Sequence, residues 1–406
     1  MSNIEVMPMS FEPGVAPAAD MIPLCVPELG GNEWQYVKEC LDTNWVSSAG
    51  PFVDRFEASV AGYVGARNAV AIVNGTAAIH IALLVAGVQP DDEVIVPALT
   101  FVAPANAVRY ANAWPVFIDV EPNYWQIDTD KLREFLTNEC ESGSDGLRNK
   151  NTGRKVTAIL PVHILGHPCD IDSIMEIAHT FELKVIEDAT ESLGAEYKGR
   201  KVGTGSDFVC FSFNGNKVIT TGGGGMVVTN NDDAATRIRY LSTQAKDDPI
   251  EYFHENIGFN YRLTNVQAAI GCAQMELLDQ YVQKKRTIYA NYESAFKSVD
   301  GIQLQAQSKD VVSTCWMSTI TVDPVKFGRD SRSLMKELGA HRIQSRPLWH
   351  PIHSLPPFRS SQAYKVEVAD RLYATALSLP SSVGLTEIDQ NKVIDKILNA
   401  ARDKDF

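Results

Sequence analysis

The chain has 406 residues, of which 45% are hydrophobic and 21% charged, and carries a net charge of −13. Such a chain can bury a large core and divide into two or three domains, while its acidic balance argues against a nucleic-acid backbone as the main partner. Seven cysteines without CxxC spacing favour free thiols in a reducing cytoplasm over a disulfide framework or zinc site, and no apolar run reaches membrane-spanning length.

Residues 1–20 hold acids and prolines, lack the basic start and apolar block of a secretory signal, and read as a flexible leader. Met21–Val26 is a short apolar run. Gly31–Thr43 has the spacing of an amphipathic helix, with Asn32 as N-cap and Trp34, Val37 and Leu41 on the expected buried face. A turn with two hydroxyls follows at Ser47 and Ser48, then a helix over Phe52–Val64. Ala69–Val73 reads as a strand that breaks at Asn74-Gly75-Thr76 and enters a helix, Ala77–Ala86, closed by Gly87. This strand–turn–helix geometry aims amides and a helix dipole at one point and suits a phosphate, although an ordinary βα connection reads the same way.

Further strands are expected at Glu93–Pro97, with Phe101 just beyond, and at Pro115–Asp119. A helix is expected around Asp130–Cys140, an exposed mobile loop over Glu141–Lys155, and a strand at Val156–Leu160. The loop Pro161–Asp170 carries His163 and leads into a helix, Ile171–Phe181, capped by Asp170. The strand Lys184–Glu187 ends at Asp188. Strands alternating with helices imply an α/β fold with a mainly parallel sheet, whose ligands gather outside the carboxyl ends of the strands. Thr76, Phe101, His163 and Asp188 all fall at such ends. Phe208–Phe213 and Met226–Thr229 flank Lys217 and the run Gly222–Gly225. A helix is expected over Tyr261–Leu278, with Val266, Ala269, Ile270, Ala273 and Leu277 inward. A composition shift near residue 278 then divides a large domain, 21–278, from a smaller α+β domain, 279–406. The latter has a strand near Thr314–Val322 and helices near Ser331–Leu338, Ala363–Ala376 and Thr386–Ala401.

The chemistry centres on Phe211–Met226, FSFNGNKVITTGGGGM. A lysine amine attacks a carbonyl only when neutral, a state that an apolar pocket favours. Alone, the window reads equally as a strand, a glycine loop and a surface lysine. With the rest of the chain it assembles what pyridoxal phosphate needs: an amine (Lys217), a carboxylate for the ring nitrogen (Asp188), donors for the phosphate (Gly75, Thr76, Ser212) and a flat neighbour (Phe101). There is no P-loop, HExxH or GxSxG, and His163 with His167 makes a poor metal site because Gly166 and Pro168 break the helix between them.

The segments NWVSSAGPFVDRFE, VNGTAAIHIAL, PALTFVA, PVHILGHPCD, VIEDATESLGA, FSFNGNKVITTGGGGM, GFNYRLTNVQAAIG and RPLWHPIH stand in the order in which similar segments occur in DegT/StrS sugar-nucleotide aminotransferases, which the chain resembles from Ile22 onward. The resemblance implies a fold type I (aspartate-aminotransferase-type) enzyme using pyridoxal 5′-phosphate, L-glutamate and a nucleotide-linked 4-keto sugar. It implies that Lys217 joins the cofactor and Asp188 faces the ring nitrogen. Gly75, Thr76 and Ser212 would bind the phosphate and Phe101 stack on the ring. Asn260 would reach the cofactor phosphate of the other subunit, hence a homodimer with shared sites. Glu191 stands where many relatives have glutamine or histidine, and its part near the cofactor stays open. Ser47, Ser48, His163, Arg262 and Arg346 are candidates for substrate contact, each with packing or ion pairing as the plainer alternative. Many relatives carry glutamate where this chain has Gly223. The all-small run resembles enzymes that aminate the 4-keto-6-deoxy form of UDP-N-acetylglucosamine, on routes to bacillosamine and legionaminic acid. The alternative acceptor is GDP-linked 4-keto-6-deoxymannose, as in perosamine formation; a dehydratase or a non-catalytic regulator on the same scaffold is further off, because such dehydratases replace the lysine with histidine.

Overall fold

The computed structural model describes residues 21–248 and 250–402; the leader expected over residues 1–20 lies outside them. Seven strands build most of the main sheet: β1 (Asn68–Ile72), β2 (Glu93–Pro97), β3 (Trp114–Ile118), β4 (Val156–Ile159), β5 (Lys184–Asp188), β6 (Phe208–Ser212) and β7 (Gly225–Thr229). Their order is β1-β7-β6-β5-β4-β2-β3, and the two-residue strand Ala363–Tyr364 adds an eighth beside β3. Only β7 runs antiparallel to its neighbours. The strands are near-continuous apolar runs because helices cover both faces of the sheet. One core holds Phe56, Ile79, Phe211 and Phe213, and another holds Val116, Phe135 and Ile174.

A second sheet of four strands comprises Ile302–Leu304, Ser318–Val322, Ala376–Leu379 and Arg346–Pro347, in that order. Its core, with Tyr292, Phe296, Phe327 and Leu377, also takes in Ile22 from the start of the described chain. The long helix Leu278–Phe296 sends Leu278 and Tyr281 into the first core and Tyr292 and Phe296 into this one. A division near residue 278 is proposed on the second core, with that helix as the bridge, while Trp316, Leu348, Phe358 and Leu372 from beyond it pack into the first core.

Several elements differ from expectation. In α1 (Glu33–Asp42) the inward face carries Glu33 and Cys40, while Trp34 is 81% exposed and Leu41 58%. The carboxylate of Glu33 is held by the Gly31 amide and by Gln274, so the polar residue is the buried one. Asn32 occupies the N-cap position without capping; its amide reaches Glu276 instead. The loop expected at 141–155 contains a hairpin, Cys140–Gly143 with Gly146–Asn149, anchored by Asn149 Nδ2 donating to Glu93 at 2.7 Å. The helix expected from Tyr261 starts at Asn265 behind a Thr264–Gln267 capping box. Tyr261 and Arg262 are drawn instead into pairing with the end of β1. The helix expected over Ala363–Ala376 is a short strand, a helix over Val368–Thr375 and then another strand.

Candidate active site

The site forms where β1, β5 and β6 end. Asn74 is extended after β1 and caps α2 (Gly75–Val85): its side-chain oxygen accepts from the Ala77 amide at 2.8 Å and its carbonyl from the Ala78 amide at 3.0 Å. The Gly75 and Thr76 amides are left without intrahelical partners at the positive end of the helix. Glycine is required at 75 by close approach. A Cβ there would lie 2.8 Å from Ser212 Cβ and 3.2 Å from Thr190 Cγ2. At Gly225 a Cβ would fall 2.4 Å from the Asn74 carbonyl oxygen, so the last glycine of the run lets β7 lie against this cup.

Asp188 ends β5, is buried, and takes the Thr190 amide on Oδ1 at 3.1 Å. Burial pushes its carboxyl up; Thr190 and the Lys217 amine pull the other way. Lys217 closes a turn in which its amide donates to Asn214. Its Nζ lies 3.2 Å from Glu191 Oε1, with the lysine side chain 15% exposed. The other oxygen of Glu191 accepts from the Leu165 amide at 2.8 Å. Burial raises this carboxyl too, against the pull of Lys217. The apolar pocket expected around the amine is therefore replaced by a buried carboxylate and, on another side, the ring of Trp316, whose centroid is 4.5 Å from Nζ.

The remaining candidates divide. Phe101 lies just past the end of β2 and is 53% exposed, available to cover a ring. Asn260 is exposed beside Thr243, and Tyr261 next to it accepts from the Val73 amide at the cup. The turn at Ser47 and Ser48 is exposed; the Ser47 carbonyl accepts from the Asn265 amide. Asn265 also donates to the Trp45 carbonyl, and Gln267 donates to the Gly223 carbonyl at 2.6 Å. One helix start thus ties the serine turn to the glycine run.

The other three candidates for substrate contact have partners or positions of their own. His163 is buried and spends both ring nitrogens inside the protein. Its Nδ1 accepts from the Cys169 amide at 3.0 Å, which leaves the proton on Nε2 to be donated to Glu187 at 2.7 Å. Glu187 precedes Asp188 in β5 and so points to the opposite face of the sheet. Arg262 is bound to Glu57 at 2.6 Å, a carboxylate it shares with Arg239. Arg346 lies exposed on the edge of the smaller sheet and donates to the Ser345 carbonyl; among the described residues no hydrogen bond joins it to the Lys217 group. Sequence reasoning missed Thr190, Asn265 and Trp316. The first adjoins the Asp188 motif, whereas Trp316 lies 99 residues beyond Lys217 and gives no local signal.

No group of three or more potential ligands among the described residues could hold a metal. The donor set fits pyridoxal phosphate: two free helix amides and a hydroxyl in a glycine-walled cup, a buried carboxylate, an amine and an open aromatic face.

A family model described as the DegT/DnrJ/EryC1/StrS aminotransferase family matches residues 27–398. GDP-perosamine synthase of Caulobacter vibrioides is 40% identical over 92% of this chain and 96% of its own length. GDP-perosamine synthase of Escherichia coli O157:H7 is 38% identical, covering 90% and 94%. The crystal structure of DesI in the presence of its TDP-sugar product superimposes with a TM-score of 0.84 at 27% identity, covering 96% of each chain. With an anion cup, a buried aspartate and an amine meeting at the strand ends of a fold type I sheet, the chain belongs to the DegT/DnrJ/EryC1/StrS family of pyridoxal phosphate-dependent aminotransferases.

Proposed function

We propose that this aminotransferase moves the amino group of L-glutamate to the C4 ketone of a nucleotide-linked 4-keto-6-deoxy sugar, with GDP-linked 4-keto-6-deoxymannose the first choice of acceptor. The observation that carries the reaction is the Lys217 amine, 3.2 Å from Glu191 and near enough to Asp188 for their charges to interact. Likeness to the two perosamine synthases across nearly their full lengths supports the GDP-linked acceptor. The UDP-acetamido acceptor expected from the glycine run has less support. A Cβ at Gly223 would meet only Gln267 Nε2, at 3.8 Å, so the glycine says little about acceptor bulk.

Pyridoxal phosphate, when bound, supplies the electron sink that makes an α-carbon proton of the donor removable. The Gly75 and Thr76 amides with the Ser212 hydroxyl would hold its phosphate, Asp188 its ring nitrogen, Phe101 its face and Lys217 its aldehyde. Lys217, freed once the donor's amine has displaced it, would take the donor proton on Nζ and return it, with Glu191 balancing the ammonium in between. Because one tethered amine gives and takes, the proton travels on one face. Lys217→Ala and Lys217→Arg are expected to abolish turnover; steady-state transamination by either refutes the assignment. Mass spectrometry of products from a panel of GDP- and UDP-linked 4-keto sugars with glutamate decides the acceptor. An amine appearing only on UDP-acetamido sugars would overturn the first choice.

The proposal includes a homodimer with Asn260 serving the partner's site. Its support is exposed apolar surface at Trp34, Leu41, Ile250 and Ile257, the last only three residues before Asn260. A cytoplasmic location is also proposed, supported by seven cysteines that are all free. No helix among the described residues is long and apolar enough to cross a membrane.

A further inference from the structure

Trp316 approaches Lys217 from the smaller part of the chain and is fastened at every polar atom. Its indole Nε1 donates to the carbonyl of Asn216, the residue before the lysine, at 2.6 Å. Its amide donates to the Leu165 carbonyl at 3.0 Å, and its carbonyl accepts from Lys285 Nζ at 3.0 Å. Lys285 is 1% exposed and also donates to the Ser381 carbonyl at 2.7 Å, so a buried amine is spent on anchoring this stretch of backbone. The same Asn216 carbonyl accepts from Cys25 Sγ at 3.2 Å.

Leu165 links the two sides. Its carbonyl holds Trp316, while its amide holds Glu191 Oε2 at 2.8 Å. It does so at a φ of 60°, a left-handed conformation that costs a leucine free energy and persists only where its surroundings enforce it. One residue therefore sets the spacing between the carboxylate and the ring that flank the Lys217 amine, 3.2 Å from Oε1 and 4.5 Å from the ring centroid.

We infer that Trp316 is a positioning residue for the reaction: with Glu191 it forms a two-sided cradle that confines the Lys217 amine and stabilises its ammonium between proton transfers. The inference rests on the reading of Lys217 as the reacting amine. A lysine stem has four rotatable bonds, and a loose amine would spend little time in line with the donor carbon. A π face suits the task because it attracts an ammonium yet has no site that takes the proton. The indole N–H adds a second constraint, fixing the turn from which the lysine departs.

The test uses the full chain as Trp316→Phe, which keeps a ring but loses the bond to Asn216, and as Trp316→Leu, which loses both. With pyridoxal phosphate and glutamate, kcat is expected to fall about tenfold in the first and about a hundredfold in the second, with KM for both substrates within twofold. Deuterium at the glutamate α-carbon should slow both variants more than the parent, because proton transfer limits them. In cofactor-free protein, acetic anhydride should acylate Lys217 at least threefold faster in Trp316→Leu, with exposed lysines as internal standard in mass spectrometry. A kcat within twofold of the parent in both variants, or unchanged Lys217 acylation, overturns the inference; should the leucine variant not fold, the phenylalanine variant decides by kcat and isotope effect. Borohydride capture of the cofactor in the parent separates the two readings. A label away from position 217 removes the lysine assignment and the inference together, whereas a label at 217 with unaltered variants removes the inference alone.

Discussion

At the scale of single residues the site depends on absent bulk as much as on functional groups. Gly75 is the sharpest case, since its missing Cβ lets α2 begin against Ser212 and Thr190. Overpacking of this kind costs about 1–3 kcal/mol. Gly75→Ala is therefore expected to weaken pyridoxal phosphate binding by about tenfold or more, measured by absorbance titration of cofactor-free protein. Unchanged affinity would show the contact to be slack. Asp188 is proposed to act through charge. Its carboxyl is buried, and Thr190, Lys217 and His163 favour the ionised form that a ring nitrogen requires. Asp188→Asn keeps the shape and loses the charge, so both half-reactions should slow by roughly a hundredfold, the scale of losing one preorganised electrostatic partner. Stopped-flow traces with glutamate and with 2-oxoglutarate check this; equal rates in mutant and parent would dismiss the role. His163 shows the converse, a histidine in a suggestive loop whose two nitrogens are already committed to Cys169 and Glu187.

At the scale of elements, long-range polar bonds decide where segments begin. The helix Val368–Thr375 has no cap of its own. Its first amides, Glu367, Val368 and Ala369, donate to Asp119 beyond the end of β3, at 2.9 to 3.0 Å, while Lys131 pairs with the same carboxylate at 2.6 Å. Burial pushes Asp119 up, but Lys131 and the three amides outweigh it and hold the carboxyl below its usual 3.8. A lowered folded value means that this stabilisation is complete above the unfolded value and is lost as pH falls through the folded one. Part of the acid limb of the stability curve, below about pH 4, should thus belong to Asp119. Asp119→Asn should flatten that limb in urea titrations. Asp119→Ala should cost about 3 kcal/mol at pH 7 by stranding Lys131 and three helix amides. A limb of unchanged slope would show that the charge is not used.

At the scale of the whole molecule, the exposed apolar surface of the chain supports the proposed homodimer. Trp34 at 81% and Ile257 at 89% are exposed beyond what a solitary apolar side chain needs explained only because they accompany exposed Trp45, Tyr252 and Phe253. If Asn260 serves the partner's site, Lys217→Ala and Asn260→Ala subunits are each deficient, yet a mixed dimer contains one complete site. Mixing and refolding the two should restore activity to roughly a quarter of the parent, because random pairing makes about half the dimers mixed. Light scattering gives the mass of the assembly. Absence of rescue would assign Asn260 to its own subunit or to neither.

The alternation of apolar strands and helices made the α/β class legible, because an element's periodicity is written in its own residues. The turn at Asn74-Gly75-Thr76, Asp188 at a strand end and the lysine before the glycines were legible for the same reason: each is a short local pattern with a local physical cause. Tertiary structure alone decided which face of α1 is buried, because Gln274 and the Gly31 amide pay for enclosing Glu33. It alone sent Arg262 to Glu57 and enclosed His163. It also brought Trp316 and Glu191 to one amine through Leu165. Those outcomes turn on partners far apart in the chain, and the energy of a buried polar group depends on the partner it finds, which no window of sequence contains.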